Sequence, residues 1–250
     1  MTDLSTQATQ LRDLHRSVDP LVLVNAWDVA SAHAVVTAGG KAIGTTSAAI
    51  SASLGVPDGP DAPLDLLFDA IGRIARAVDV PVTADVLDGY GLDADKLVDR
   101  LLGAGAVGCN IEDSDHGRPG ELLDPALVAD RLSAVRAAAS TAGVELVINA
   151  RIDCFLHIAD PSAALDEILR RAAIYAAAGA DCVYPVRLTQ PDAARVVVDA
   201  VDAAVNANVR PGGSLPDLVA AGVRRISVGP QAHGVALHAL DQFARSLLTT

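Results

Sequence analysis

The chain has 250 residues and a formal net charge of −12, and 51% of its residues are hydrophobic while only 3% are aromatic. The acidic balance excludes nucleic acid and an anionic membrane surface as expected partners, because both bind positive surfaces. The N-terminus shows no targeting signal, and no stretch is long and apolar enough to span a bilayer. The three cysteines have no CxxC spacing, so they indicate neither a disulfide framework nor a zinc site. We therefore expect a cytoplasmic protein.

Eight short apolar runs recur along the chain and predict β-strands. They occupy residues 21–25, 42–46, 80–85, 106–112, 145–151, 181–186, 204–209 and 224–229. Ala- and Leu-rich stretches with helical spacing separate them. This alternation predicts an α/β fold, a (β/α)8 TIM barrel, and barrels of this type typically have about 250 residues.

We interpret residues 1–250 as a single barrel domain, with an N-terminal helical segment over 1–18 and a C-terminal helix over 231–250. An open, doubly wound parallel sheet is the alternative. No GxGxxG or GxxxxGK[ST] motif follows the first predicted strand. This absence disfavours the alternative as a nucleotide-binding fold.

Charged residues end three successive predicted strands, where the catalytic face of a barrel lies. Asp85 and Glu112 end neighbouring strands, and two converging carboxylates suit a hard divalent cation such as Mg²⁺. Arg151 ends the next strand, and its planar fork can bind a substrate carboxylate or phosphonate. A buried ion pair between Arg151 and either Glu112 or Asp153 is the structural alternative.

The remaining reactive residue types mainly exclude functions. The chain has two lysines, Lys41 and Lys96, and neither ends a predicted strand, which disfavours a Schiff-base aldolase. The six histidines show no HExxH spacing, which disfavours zinc chemistry. His116 follows the fourth strand and His233 the eighth, so a general acid is weighed there against a loop or capping role.

Six stretches together resemble the isocitrate lyase/phosphoenolpyruvate mutase superfamily, over nearly the whole chain. They are NAWDVASAHAVVTAGGKAIGTTSAAISASLGVPDG at 25–59, PVTADVLDGYG at 81–91, GAVGCNIEDSD at 105–115, VINARIDCFL at 147–156, GADCVYPV at 179–186 and GVRRISVGP at 222–230. The resemblance implies a barrel enzyme that breaks or forms a C–C or P–C bond beside a 2-oxo acid, with Mg²⁺ stabilising an enolate.

The resemblance also assigns site residues by position. The metal-shell acids match Asp58, Asp85 and Glu112. The substrate-binding residues match Trp27, Thr46, Ser47, Ala48, Arg151 and Asn208, and the expected catalytic residues are Arg151 and His116. The last helix of such barrels is commonly exchanged between subunits, so the expected partners are a small anionic substrate and further copies of this chain in a homodimer or homotetramer.

Two departures from the family pattern bear on the chemistry. The family reads D-x-[DE]-x-GYG, whereas this chain has Leu87 in place of the second acid, which predicts weaker Mg²⁺ binding unless Asp88 compensates. The loop after the fourth strand lacks the K-[KR]-C-G-H segment of isocitrate and methylisocitrate lyases. Cys109 is expected to face away from the barrel axis and cannot replace that cysteine, so His116 or Arg118 is the candidate acid.

Three functions are therefore weighed. The first is a C–C bond lyase, of retro-aldol or decarboxylase type, for a small 2-oxo or 2-hydroxy carboxylate. The second is a P–C bond mutase or hydrolase of phosphonate metabolism. The third is a metal-free, non-catalytic metabolite-binding descendant, for which Leu87 is the sequence support. A phosphosugar isomerase is a weaker option, suggested by glycines at 212, 213 and 229.

Overall fold

The computed structural model describes residues 3–210 and 212–248. Within this part of the chain, nine strands form one sheet. They are β1 Leu21–Leu23, β2 Asn25–Ala26, β3 Ile43–Thr45, β4 Val82–Asp85, β5 Gly108–Glu112, β6 Val147–Ile152, β7 Cys182–Pro185, β8 Ala204–Asn208 and β9 Arg225–Ser227.

Helices alternate with the strands as the sequence predicts. They are α1 Leu4–Arg16, α2 Val29–Thr37, α3 Ser47–Leu54, α4 Leu64–Ala77, α5 Ala94–Gly103, α6 Pro125–Thr141, α7 Cys154–His157, α8 Pro161–Ala177, α9 Pro191–Ala200, α10 Leu215–Ala220 and α11 Gln231–Leu248. The helices α1 and α11 lie within the predicted segments 1–18 and 231–250, whose residues 1, 2, 249 and 250 lie outside the described residues. None of the helices in residues 3–210 and 212–248 could cross a membrane.

The sheet closes on itself through its first strand. All neighbouring strands pair in parallel, in the order β1-β9-β8-β7-β6-β5-β4-β3-β2. Only Val24 separates β1 from β2, so the two halves of one predicted strand pair with opposite ends of the sheet. The fold is therefore a (β/α)8 TIM barrel, which confirms the predicted class and rules out the open doubly wound sheet.

The main hydrophobic core lies between the outer face of the barrel and the surrounding helices. On α4 the buried side chains Leu67, Ile71 and Ile74 recur at helical spacing, and they belong to the same core cluster as Ile111 and Ile148 on the outer face of the strands. Burying each such side chain contributes about 1.5–3 kcal/mol. Cys109 also belongs to this outer layer, as expected, and not to the barrel interior.

Helix α1 covers the N-terminal ends of the strands. Its buried residues are Ala8, Leu11 and His15, and the first two pack in a second cluster with Leu21 and Val147. Gly108 permits this contact, because a Cβ at this position would come within 2.8 Å of Leu11 Cδ2. The N-terminal segment is therefore the floor of the barrel, opposite the strand ends that carry the charged residues.

His15 makes the stability of this floor dependent on pH. Burial and the neighbouring Arg225 cation lower its pKa from 6.5 to about 4. The unfolded state then binds the proton more tightly, so stability is lost as the pH falls from about 6.5 to about 4. We expect His15→Gln to remove about 3 kcal/mol of the acid-induced loss in unfolding free energy, measured by urea titration across that pH range.

The exposed His33 supplies the control, because His33→Gln should leave the pH dependence of wild type unchanged. An identical loss of stability at acid pH in wild type and His15→Gln would contradict the expectation.

Candidate active site

A cavity of about 570 Å³ opens at the C-terminal ends of the barrel strands. Its lining includes Asp58, Asp85, Glu112, Arg151 and Tyr184. The parallel strands bring these residues together, because their carboxyl ends all meet at one face of the barrel. The cavity is therefore the candidate active site.

Asp85 is held at the end of β4 by residues of β3 and α3. The backbone N–H of Ser47 and its hydroxyl both donate to Asp85 Oδ2, at 3.2 Å each. The backbone N–H of Asp85 donates to Thr45 Oγ1 at 3.1 Å. The other carboxylate oxygen, Oδ1, is buried and has no hydrogen-bond partner among residues 3–210 and 212–248. Asp85 thus presents an oriented, unpaired negative oxygen within the site.

Arg151 lies between two acids. It is paired in register with Glu112 on the neighbouring strand, and Nη1 contacts Glu112 Oε2 in an ion pair. Its Nε and Nη2 donate to Asp153 Oδ1 and Oδ2 at 2.7 and 2.9 Å. Glu112 is 3% exposed and Asp153 is fully buried. The ion pair that the sequence left as an alternative is present, so an anionic ligand must compete with these carboxylates for Arg151.

A histidine extends this arrangement at each end. His116 Nε2 lies 2.8 Å from Glu112 Oε1. At the other end, Ser114 Oγ lies 2.6 Å from Asp153 Oδ2 and 2.9 Å from His157 Nε2. Because an ionised carboxylate only accepts, Ser114 donates to Asp153 and His157 donates to Ser114. One hydrogen-bonded chain therefore runs from His116 through Glu112, Arg151, Asp153 and Ser114 to His157.

Burial and pairing set the charges of this chain. Burial raises the pKa of Glu112, and the hydrogen bond from His116 opposes that rise. The same hydrogen bond raises the pKa of His116. Burial lowers the pKa of Arg151, but Glu112 and Asp153 outweigh it and the net shift is upward, so the guanidinium stays charged. The protonated form of His116 is therefore favoured beside this carboxylate.

Asp58 lies in the loop between α3 and α4 and is exposed at the edge of the cavity. Partial desolvation raises its pKa, a hydrogen bond with Ser47 lowers it, and the negative charge of Asp85 raises it. Asp58 and Asp85 thus share Ser47 as a neighbour and repel each other, as expected of two acids that bind a common cation.

Leu87, which stands in place of the second acid of the family pattern, lies on the cavity wall. β4 ends at Asp85, and Leu87 adopts a left-handed backbone conformation with φ of 49°. Its carbonyl accepts a hydrogen bond from the Glu112 N–H at 2.9 Å. Asp88 bonds the backbone of Tyr90 and pairs with Arg131 outside the cavity, so it does not replace the missing acid.

The structure brings most of the sequence-predicted site residues together. The residues that line the cavity are Thr46, Ser47, Ala48, Asp58, Asp85, Glu112, His116 and Arg151. Trp27 instead packs edge-on against His233 with ring centroids 4.8 Å apart, beside a different groove. Asn208 lies behind the wall, where its Nδ2 donates to the Tyr184 hydroxyl at 2.8 Å.

Sequence reasoning did not single out Ser114 and His157 as site residues. Both line the cavity and both are bonded to the chain that holds Arg151. His157 ends the four-residue helix α7, which no apolar periodicity could predict. The sequence gives one hint of these contacts: Asp153, the acid to which the Ser114 hydroxyl donates, lies two positions after Arg151.

The donors fit Mg²⁺ bound mainly through one carboxylate. Among the residues that the structure describes, no group of three His, Cys, Asp or Glu side chains could hold a metal ion. Mg²⁺ in proteins, however, usually keeps several waters and needs only one or two carboxylates with substrate oxygens. The buried, unpaired Oδ1 of Asp85 satisfies this requirement.

The barrel fold and its acidic, arginine-bearing strand ends define a TIM-barrel protein with a charged cavity at the C-terminal ends of its strands. The sequence profile of the phosphoenolpyruvate phosphomutase family matches residues 11–248. The chain therefore belongs to this family, within the isocitrate lyase/phosphoenolpyruvate mutase superfamily that its motifs resemble.

Individual relatives agree with this assignment. The chain is 39% identical to the crystal structure of a "putative phosphonomutase" from Burkholderia cenocepacia J2315, with a TM-score of 0.89 over 96% of this chain and 99% of the other. It is 34% identical to the uncharacterized protein Rv1998c of Mycobacterium tuberculosis, over 94% of this chain and 87% of the relative. It is 32% identical to an oxaloacetate decarboxylase of Bradyrhizobium sp. (strain BTAi1), over 75% and 65% respectively.

Proposed function

We propose that the protein is a Mg²⁺-dependent C–C bond lyase that cleaves or decarboxylates a small 2-oxo or 2-hydroxy carboxylate. The observation that carries the proposal is the convergence of Asp85, Glu112 and Arg151 in one cavity, in which Asp85 Oδ1 is unpaired and Arg151 forms an ion pair with Glu112. Similarity to an oxaloacetate decarboxylase supports this reaction class.

Different residues of the cavity have different roles in the proposed reaction. Arg151 binds the substrate carboxylate by giving up part of its pairing with Glu112 or Asp153. Thr46, Ser47 and Ala48 begin α3 at the cavity, and a helix N-terminus favours negative charge, so the oxo oxygen lies there. Asp85, with Asp58 and Glu112 beside it in the cavity, would hold Mg²⁺, and the ion would supply Lewis-acid stabilisation of the enolate charge.

His116 replaces the absent cysteine as the acid. When the C–C bond breaks, CO₂ or a carbonyl fragment leaves and the electron pair of the bond forms the enolate, whose carbon takes up a proton before the product leaves. In retro-aldol cleavage the substrate hydroxyl loses its proton as it becomes the carbonyl of the leaving fragment. The raised pKa of His116 keeps a proton available on this side of the cavity. The other loop candidate, Arg118, pairs with Asp115 and Glu121 and is exposed, so it is less suited to the role.

Calorimetry and a substrate panel test the proposal. We expect oxalate, an enolate mimic, to bind wild type only with Mg²⁺ present, and one or more 2-oxo or 2-hydroxy dicarboxylates to release pyruvate or a related 2-oxo acid. Absence of oxalate binding, or binding unchanged in Asp85→Ala, would contradict it.

A P–C bond mutase or hydrolase is the second candidate. The structural similarity to a "putative phosphonomutase" favours it, and Arg151 would bind a phosphonate as readily as a carboxylate. Phosphonopyruvate incubated with enzyme and Mg²⁺ and followed by ³¹P NMR separates the two reactions, since an unchanged spectrum removes this candidate.

The third candidate is a metal-free binding protein, and it is favoured by Leu87 because the family pattern has an acid at this position. Replacing Leu87 by an acid tests this candidate. We expect Leu87→Asp to tighten Mg²⁺ binding about 10- to 100-fold, because it restores an acid beside Asp85 and because Asp tolerates a left-handed backbone better than Leu. Calorimetric titration with MgCl₂ measures the affinity. Leu87→Asn is the uncharged control, and equal affinities in the two variants would contradict the expectation.

We also propose a cytoplasmic, single-domain protein that forms a homodimer or homotetramer through α11. The three cysteines are free and buried, as suits a reducing compartment. Helix α11 has no buried residue, and its large apolar side chains Leu240, Phe243 and Leu247 are each more than 60% exposed at helical spacing. An apolar groove beside Val22 and Trp27 is suited to receive the α11 of a second copy.

Phe243→Glu is therefore expected to shift the protein toward monomer in size-exclusion chromatography with light scattering, since a charge in an apolar interface remains unpaired. Gln242→Glu places the same charge on the neighbouring position and should leave the assembly intact. Wild-type protein that is already monomeric would contradict the proposed oligomer.

A further inference from the structure

The middle of the barrel interior is polar. Thr83, Asn110 and Asn149 precede Asp85, Glu112 and Arg151 by two positions, so strand alternation turns them toward the barrel axis. Asn206 and Arg225, from β8 and β9, complete this layer, and the five residues are all buried. Barrel interiors are usually filled by branched apolar side chains. A polar layer must therefore find hydrogen-bond partners inside the barrel.

Arg225 is an enclosed cation in this layer. It is 1% exposed, its Nη2 donates to Asn110 Oδ1 at 3.0 Å, and its Nη1 lies 3.4 Å from His15 Nε2. Within residues 3–210 and 212–248, no acidic side chain forms an ion pair with it. A buried guanidinium stays protonated, and a buried charge without a counter-charge is costly.

The groups in contact with Arg225 do not supply that counter-charge, and Asp85, whose negative charge acts on Arg225 from the layer above, forms no ion pair with it within residues 3–210 and 212–248. His15 Nδ1 lies 2.8 Å from the Leu11 carbonyl, which can only accept, so Nδ1 carries the hydrogen and Nε2 offers a neutral lone pair to Arg225. Burial raises the pKa of both Cys182 and Cys109 to about 12, which keeps these thiols neutral near Arg225.

Two donors in the layer have no acceptor. Arg225 Nε and Asn206 Nδ2 are buried, and neither has a hydrogen-bond partner in the part of the chain that the structure describes. Asn206 and Arg225 are paired positions on β8 and β9, so their side chains are neighbours on the interior wall. The Thr83 hydroxyl, which is also unpartnered, can act as a further donor, whereas the unpartnered Asn149 Oδ1 can only accept and would bind water.

We propose that a halide-sized anion, chloride in the cell, binds inside the barrel against Arg225 Nε and Asn206 Nδ2. It supplies both the missing acceptor and the missing negative charge. The burial of the layer restricts the ligand to a monoatomic anion, because a carboxylate or phosphate is larger than a halide ion. Chloride thereby becomes a structural ligand of this interior layer, which adjoins the candidate active site through Asn110.

Bromide in crystals of the full chain tests the position directly. We expect an anomalous difference peak inside the barrel, within hydrogen-bond distance of Arg225 Nε and Asn206 Nδ2. Density for water at that place without anomalous signal, while bromide peaks lie only on the surface, would overturn the proposal.

Thermal unfolding tests the energetic role. Because a ligand that binds only the folded state stabilises it, we expect Tm to rise by several degrees when chloride replaces gluconate at equal ionic strength. Asn206→Leu and Arg225→Met should lose this chloride dependence, and Arg73→Met, at an exposed ion pair with Asp69, should keep it. If Arg225→Met does not fold, Asn206→Leu and the wild-type comparison still decide. Equal Tm in the two salts for wild type would overturn the proposal.

Discussion

Asp85→Asn is expected to abolish Mg²⁺-dependent oxalate binding and to lower the rate on any substrate by at least about 10²–10³-fold, the usual loss when one group that stabilises transition-state charge is removed. The amide has the same shape but no charge. The Asp85 carboxylate accepts the Ser47 hydrogen bonds at Oδ2 and leaves a negative Oδ1 unpaired in the cavity. The neutral amide cannot present a negative oxygen there.

The same variant should be no less stable than wild type. Asp85 Oδ1 is a buried carboxylate oxygen without a partner, so the charge is present at the expense of stability. Neutralising it is expected to raise the unfolding free energy by about 1 kcal/mol, as is common where a site is optimised for function. Urea unfolding without Mg²⁺ measures this.

Asp61→Asn is the matched control, because it removes the same charge from an exposed position outside the cavity. It should change neither oxalate binding nor the rate. If the Asp85→Asn protein binds Mg²⁺ and oxalate as tightly as wild type, this result would contradict the assignment of Asp85 as the metal-binding acid.

Arg151→Met is expected to have a double effect. It removes the group that binds the substrate anion, and it leaves Glu112 and Asp153 buried without their cation. Breaking a buried ion pair from one side costs about 3–5 kcal/mol. We therefore expect loss of oxalate binding by calorimetry together with a fall of this size in the urea unfolding free energy.

Two further variants separate these effects. Adding Glu112→Gln to Arg151→Met should recover part of the stability, because one uncompensated charge is removed, and should not recover oxalate binding. Arg73→Met, at an exposed pair, should cost no more than about 1 kcal/mol. Loss of binding in Arg151→Met without loss of stability would show that the pairing with Glu112 and Asp153 contributes nothing net to the fold.

Much of the fold follows from local sequence patterns. The eight apolar runs and the helical stretches between them predict the barrel, because strand and helix periodicities are properties of neighbouring residues. Asp85, Glu112 and Arg151 were also predictable as cavity residues, since each ends a strand and parallel strands end at one face.

Residues whose positions depend on long-range contacts were not predictable in the same way. Trp27 and Asn208 match the family by position, yet Trp27 packs against His233 and Asn208 bonds Tyr184 behind the cavity wall. His157 reaches the site through Ser114, which is 43 positions away in the chain. No local pattern encodes such a contact.

The sequence by itself determined the barrel class, the acidic strand ends and the departure at Leu87 from the family pattern. The tertiary structure decided how these charges are paired: it joined Arg151 to both Glu112 and Asp153, turned Asp88 out of the cavity and enclosed Arg225 without an acid. The physical reason is that periodicity fixes which face of an element a side chain occupies, whereas its charge partner depends on which elements the closed barrel brings together.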